Sequence, residues 1–285
     1  MKKAVYSFWA VALLLVSCKS SVLELNVMSF NIRYNTQQDG ANAWNYRKDA
    51  AAKIIRLQDA DIVGTQEVLS GQLADLNARL PEYASLGVGR ADGKEAGEYS
   101  AIFYKKNRFK LLESGNFWLS ETPELPGKKG WDAACERIAT WGIFEDVKTG
   151  KRFLAMNTHL DHVGKLAQKE GVNLLLARIG EYRKNLPVIL TGDFNMLPDN
   201  PAIRQITDPA NPQHLVHTQD AAEKTEGQPF TYHNYGKLPA EQCSFIDYIF
   251  ADKSAKVLLH SVIAERLDGV YLSDHAPVEA KLQWK

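Results

Sequence analysis

The segment Thr191-Gly192-Asp193-Phe194-Asn195 constrains this chain more than any other. It follows an apolar run at residues 187–190 that reads as a buried strand, and it ends in two short oxygen-bearing side chains at alternate positions. Side chains two apart on extended backbone share a face, so Asp193 and Asn195 aim at one place where a strand opens into a loop. The same kind of junction recurs in Ser29-Phe30-Asn31-Ile32-Arg33, Gly64-Thr65-Gln66-Glu67, Asn157-Thr158-His159-Leu160-Asp161 and Leu272-Ser273-Asp274-His275-Ala276-Pro277. In Ser244-Phe245-Ile246-Asp247-Tyr248 a carboxylate sits inside an apolar strand. Taken singly these are ordinary features: Asp and Asn initiate turns, an acid such as Glu67 suits a helix N-terminus, and Asp274-His275 suits a loop before Pro277. Their repetition at successive strand ends makes them a candidate site.

Between these junctions the pattern alternates. Strands are expected over residues 22–30, 61–65, 100–104, 109–117, 140–147, 152–157, 245–250, 257–263 and 278–282. Helices are expected over residues 47–57, over 70–80 with Ser70 as cap, and over 165–184 with Leu166, Val172, Leu175, Leu176 and Ile179 near helical spacing. Lys148-Thr149-Gly150-Lys151 reads as a hairpin turn, and hairpins imply mostly antiparallel pairing. This order fits two β-sheets packed face to face with helices on the outside. No Gly-rich phosphate loop or dinucleotide fingerprint occurs, which removes the nucleotide-binding folds.

The amino terminus reads as a targeting segment. Lys2 and Lys3 precede an apolar stretch at residues 5–16 that is short for a bilayer span, followed by Leu15-Val16-Ser17-Cys18. This resembles a bacterial lipoprotein signal, which implies removal of residues 1–17, lipidation of Cys18 and a mature domain over residues 18–285, exported and tethered to a cell-envelope membrane. Lys plus Arg equals Asp plus Glu at 34 each. Loss of Lys2 and Lys3 leaves 32 basic against 34 acidic groups, so the chain has no basic field of the kind that drives sequence-independent nucleic-acid binding. A chain of 285 residues with 45% hydrophobic composition can bury one sizeable core. Cys135 and Cys243 have no spacing signature and are expected as buried free thiols, although an exported compartment permits a bridge.

The ordered set Asn31, Glu67, His159, Asp193 with Asn195, Asp247, and Asp274 with His275 resembles the endonuclease/exonuclease/phosphatase superfamily over nearly the whole mature chain. That group includes pancreatic deoxyribonuclease, neutral sphingomyelinases and inositol-phosphate 5-phosphatases. The resemblance implies a four-layered α/β/β/α sandwich, with two mostly antiparallel sheets flanked by helices, and a divalent-metal phosphoesterase. It also implies Glu98 as the carboxylate supporting His159, and Arg137 as the side chain reaching substrate phosphate.

The chemistry leads to the same roles. Phosphoester hydrolysis needs an activated water, neutralised non-bridging oxygens and a stabilised leaving group. A hard Mg²⁺ ion, with Mn²⁺ as alternative, takes carboxylate and carbonyl oxygens, so Glu67, Asp274 and Asn31 are the candidate ligands. Asp193 is the candidate to orient and deprotonate water, Asn195 to donate to a phosphate oxygen, and His275 to face the scissile phosphate with Asp247 fixing its tautomer. His159 is expected to contact phosphate from the other side. Asp161 and His162 are explained by loop polarity, and Trp118, Trp131 and Trp141 are either anchors or stacking platforms at the cleft. The substrate expected is a phosphoester: nucleic acid, phospholipid head group or small scavenged ester. No obligate protein partner is evident, and a catalytically inactive binding lipoprotein of the same fold is the alternative.

Overall fold

The structure is a computed structural model that describes residue 1 and residues 22–285. Apart from Met1, the expected signal segment, together with Cys18, lies outside the described residues. Among the described residues no helix is long and apolar enough to cross a membrane.

Along the chain come β1 (Leu23–Asn31), α1 (Trp44–Leu57), β2 (Ile62–Gln66), α2 (Ser70–Arg79), β3 (Tyr83–Leu86), β4 (Ile102–Lys105) and β5 (Phe109–Trp118). They are followed by β6 (Ile138–Asp146), β7 (Arg152–His159), α3 (Lys165–Tyr182), β8 (Val188–Asp193), α4 (Pro201–Thr207), β9 (Leu215–His217) and α5 (Thr218–Ala221). The last third holds β10 (Thr225–Gly227), β11 (Asp247–Asp252), β12 (Lys256–Val262), β13 (Arg266–Leu267), β14 (Val270–Tyr271) and β15 (Val278–Trp284). One sheet has the order β10-β12-β15-β1-β2-β4-β3, the other β5-β6-β7-β8-β11-β9, and β13 with β14 forms a small ribbon. Pairing is antiparallel except for β1 with β2, β10 with β12, and β7 with β8.

Alternation along the strands builds the layers. In β1, Leu25 and Val27 point between the sheets, where they join Phe144, Phe153, Ile189 and Leu282. Met28 and Phe30 take the other face and pack with Ile54 and Ile55 of α1 and Leu76 of α2. In the second sheet Leu154, Met156 and Leu190 meet Val172, Leu175 and Ile179 of α3. Three apolar clusters therefore mark the three interfaces of a four-layered α/β/β/α sandwich, the expected architecture.

At one end the sheets are joined by polar contacts. Gln66 Nε2 donates to Asn157 Oδ1 at 2.7 Å, and Asn157 Nδ2 donates to the carbonyls of Thr65 at 2.9 Å and Ala101 at 3.0 Å. Gly64 permits this approach: a Cβ there would lie 2.1 Å from Thr191 Oγ1 and 2.5 Å from Asn157 Oδ1.

Two local expectations are corrected, and the choice left open for the tryptophans falls to anchors. Ser70 begins α2 rather than capping it; the cap position is Leu69, whose N–H donates to Gln72 Oε1 at 3.2 Å. Cys135 and Cys243 are free thiols but half-buried, since both lie on loops rather than in the core. None of the three tryptophans lines the main cleft. Trp118 is buried and donates to the Arg90 carbonyl at 2.6 Å, Trp141 stacks on Tyr182, and Trp131 is a half-buried loop residue whose N–H bonds Glu121.

Candidate active site

Asn31 ends β1, Glu67 follows β2, His159 ends β7, Asp193 ends β8, Asp247 begins β11, and Asp274-His275 precede β15. All lie at the end of the sandwich where the two sheets are joined, so the chain reversals bring residues far apart in sequence to one place. The cleft between the sheet ends has a volume of about 560 Å³ and is lined by Glu67, Asp193, Asn195, His159, Asp274 and His275, among others. Glu67 and Asn195 hold left-handed backbone, with φ of 62° and 52°, as does Arg33 at 57°. Such conformations persist only where surrounding contacts enforce them, and they cluster at functional sites.

The centre is a run of close polar contacts about Asp193. His275 Nδ1 meets Asp247 Oδ2 at 2.8 Å, and its Nε2 lies 3.9 Å from Asp193 Oδ2. From the other side His159 Nε2 lies 3.5 Å from the same oxygen, and Asn195 Nδ2 donates to His159 Nε2 and to the Leu160 carbonyl, each at 3.0 Å. Asn195 N–H donates to Asp193 Oδ1 at 2.9 Å.

Burial sets the protonation of these groups. Desolvation, reinforced by the charge of Asp247, pushes the Asp193 carboxyl up to about 7. The expected ionised base is therefore only partly ionised at neutral pH unless a cation stands beside it. Burial alone would lower His275, but the Asp247 and Asp193 carboxylates outweigh it and hold the ring well above the ordinary histidine range. His159 goes the other way, well below that range, through burial and the neighbouring Arg137 and Arg90. The two imidazoles flanking Asp193 are thus a cationic and a neutral one, a division of the kind acid–base sites use.

The acidic pole comprises Glu67 and Asp274. Arg33 lies 3.8 Å from each carboxylate and pairs with Asp39 at 3.3 Å. Glu67 accepts from Tyr34 N–H at 3.0 Å and from Asn31 Nδ2 at 3.0 Å. Asn31 differs from the expectation: its Oδ1 accepts Arg33 N–H at 2.9 Å, while its nitrogen faces Glu67 and Asp193. Converging carboxylates draw the donor end of the amide, so Asn31 acts here as a hydrogen-bond donor rather than presenting an oxygen ligand. Ligand atoms of Glu67, His159 and Asp193 lie within 4.8 Å of one another. The carboxylate-rich donor set fits a hard divalent cation.

The opposite wall is basic. Arg137 is buried; its Nε reaches Asp161 at 3.3 Å and its Nη2 reaches His162 Nδ1 at 2.9 Å, while its buried Nη1 has no partner among the described residues. A buried guanidinium nitrogen without an acceptor beside a cleft is a vacant place for an anionic oxygen. Glu98 does not support His159 as expected. Its carboxylate pairs with Arg90 at 2.7 and 2.8 Å, and His159 Nδ1 has no partner among the described residues. Loop 87–98 carries its own guanidinium, and a bidentate pair satisfies Glu98 better than a neutral imidazole.

Two contributors escaped the sequence reading. Arg33 sits only two residues beyond Asn31, but nothing in a lone Arg shows that it will face two carboxylates. Asp161, explained there by loop polarity, is 1% exposed and accepts from the N–H groups of Ala134, Cys135, Val163 and Gly164 and from Arg137 Nε. Burial opposes its ionisation, yet these donors hold its carboxyl well below the usual carboxylate range. It anchors Arg137 and ties the loop before β6 to the end of β7.

The fold and this strand-end site define the class: the chain belongs to the endonuclease/exonuclease/phosphatase family, whose model matches residues 28–275. The family comprises hydrolytic phosphoesterases. Among solved structures, a family member from Bacteroides vulgatus is 42% identical, with a TM-score of 0.89, covering 92% of this chain and all of that one. A mannosyl-6-phosphatase from Bacteroides thetaiotaomicron is 36% identical, with a TM-score of 0.82, covering 90% of this chain and 99% of that one. The Ccr4 3'-5'-exoribonuclease subunit of the CCR4-Not complex from Mycosarcoma maydis is 25% identical over 83% of this chain. The match spans only 39% of that relative's length.

Proposed function

We propose that this protein is a divalent-metal-dependent phosphatase acting on small soluble phosphomonoesters, sugar phosphates foremost, exported and lipid-anchored through Cys18. The observation that carries the phosphoester reading is the cleft's polarity: carboxylates Glu67 and Asp274 on one wall face Arg137, with its unpartnered buried nitrogen, on the other. The sugar-phosphate reading is supported by the likeness to the mannosyl-6-phosphatase along nearly its full length. The export reading is supported by the resemblance of residues 1–18 to a lipoprotein signal.

Glu67 and Asp274 would hold Mg²⁺, which supplies charge neutralisation at the phosphoryl oxygens and the leaving oxygen. Asp193 takes the proton of the attacking water. His275, kept cationic by Asp247, stabilises charge building on the phosphoryl group. Neutral His159 and the Asn195 amide orient the group from the opposite side, and Arg137 receives a non-bridging oxygen. A monoester's dianionic phosphate suits this mix of cationic donors and metal ligands.

The test is phosphate or leaving-group release with Mg²⁺ from hexose 6-phosphates, p-nitrophenyl phosphate, bis-p-nitrophenyl phosphate, RNA, sphingomyelin and inositol phosphates. Preferred turnover of hexose 6-phosphates supports the proposal. Preference for the diesters or RNA would move the protein to the phosphodiesterase branch, and silence of folded, metal-loaded protein across the panel would favour a binding lipoprotein.

A further inference from the structure

We propose that Arg33 is a built-in counter-cation for the acidic pole, held by Asp39 just short of Glu67 and Asp274, so that the Arg33–Asp39 pair sets how tightly those two carboxylates take a divalent cation. The inference rests on the metal reading of Glu67 and Asp274 given above and deepens it by naming the residues that tune the site.

The backbone fixes where the guanidinium starts. Arg33 holds left-handed backbone, with φ of 57°, a conformation that is unfavourable for a non-glycine residue unless its neighbours impose it. Both of its backbone polar groups are tied: the N–H donates to Asn31 Oδ1 at 2.9 Å, and the carbonyl accepts from Gln72 Nε2 at 2.9 Å. The turn after β1 therefore delivers the side chain to the cleft, which it lines together with Tyr34, Glu67 and Asp274.

Neighbours then fix the side chain. The guanidinium donates to both oxygens of Asp39, through Nε and Nη2, each at 3.3 Å, and lies over the Tyr34 ring, 4.2 Å from its centroid. Asp39 in turn accepts from the Tyr235 hydroxyl at 3.0 Å. Held this way, Arg33 stops with Nη1 3.8 Å from Glu67 Oε2 and Nε 3.8 Å from Asp274 Oδ2. Those are ion-pair separations, too long for hydrogen bonds.

The two carboxylates do not need Arg33 for their placement. Glu67 accepts from Tyr34 N–H and Asn31 Nδ2, each at 3.0 Å, and Asp274 Oδ1 accepts from Ser273 Oγ at 3.1 Å. What Arg33 adds is charge: it offsets part of the repulsion between two converging acids without hydrogen-bonding either. A guanidinium released from Asp39 could close to about 2.8 Å, the length of a charge-assisted bond, and occupy the oxygens a cation needs. Asp39 is thus the restraint that keeps the acidic pole open, and Arg33 the fixed like charge that moderates its affinity.

The test counts bound ions with no substrate present. The full chain is stripped with EDTA, dialysed and titrated with Mn²⁺, with the free ion measured by electron paramagnetic resonance and Glu67→Ala marking which binding belongs to this site. Arg33→Met should tighten Mn²⁺ binding about tenfold, since a like charge so near a cation site weakens binding on that order even where water screens the pair. Asp39→Asn should weaken binding at least about threefold, because it frees the guanidinium to close on Glu67 and Asp274. In the double variant the Asp39 substitution should add nothing to Arg33→Met, which separates release of Arg33 from the mere loss of an acid. Arg33→Gln carries the same expectation as Arg33→Met if the latter does not fold. Unchanged or weaker binding in the Arg33 variants would overturn the proposal, as would an Asp39 effect that persists without Arg33. Wild-type protein that takes up no Glu67-dependent ion would overturn the metal reading itself, and the proposal with it.

Discussion

Asp193 is the side chain on which the candidate site converges, approached by Asn31, Asn195 and the imidazoles of His159 and His275. Replacing Asp193 or His275 by Ala should lower kcat at least about a hundredfold, the range for loss of an acid–base group, with the folded state checked by circular dichroism. Glu67→Ala should instead raise the Mg²⁺ concentration required for half-maximal rate, and an unchanged metal titration would remove Glu67 from the ligand set. Arg137→Met should raise KM more than it lowers kcat if the unpartnered nitrogen receives substrate phosphate; an unaffected KM would leave it a structural residue. Residue identities were legible in the sequence where two chemistry-bearing side chains stood together, as in Asp193 with Asn195 and Asp274 with His275. Partnerships were not, because they depend on which atoms meet across the sheets: Glu98 turned to Arg90, Asn31 presented its nitrogen, and Asp161 gathered five donors.

At the scale of elements, the strand ends function because the two sheets approach closely there. Gly64→Ala should destabilise the fold by about 1–3 kcal/mol, the usual cost of overpacking, read as a lower urea midpoint; a neutral outcome would mean that Thr191 and Asn157 yield easily. On the first sheet, burial and the neighbouring His217 pull His260, which bonds Thr218 Oγ1 at 2.9 Å, down to about 3. Its unfolded ring titrates near 6.5, so the unfolded chain binds the extra proton first as pH falls. The stability associated with neutral His260 is therefore complete above about pH 6.5 and is lost progressively toward about pH 3. His260→Gln should flatten the urea midpoint across that window, and an unchanged slope would assign the acid sensitivity elsewhere. Long elements such as α3 and β5 to β8 could be read from periodicity and turns. Short ones such as β3, β9 and β10 could not, since strands of three or four residues are defined by their sheet neighbours more than by their own pattern.

For the whole molecule, the layered order was readable because hairpins, helices and apolar strands alternate in a way that few packings satisfy. Strand order and the parallel neighbours within each sheet were not, since these depend on contacts between segments far apart in the chain. The central claim is that Asp193, flanked by His159 and His275 and served by a divalent cation, hydrolyses phosphoesters. Its most direct test is phosphate release from a hexose 6-phosphate by the purified wild-type protein and by Asp193→Ala, each with Mg²⁺ and after EDTA. Release that requires the metal and disappears in the variant is the predicted result; release that survives either EDTA or the loss of Asp193 would contradict the claim.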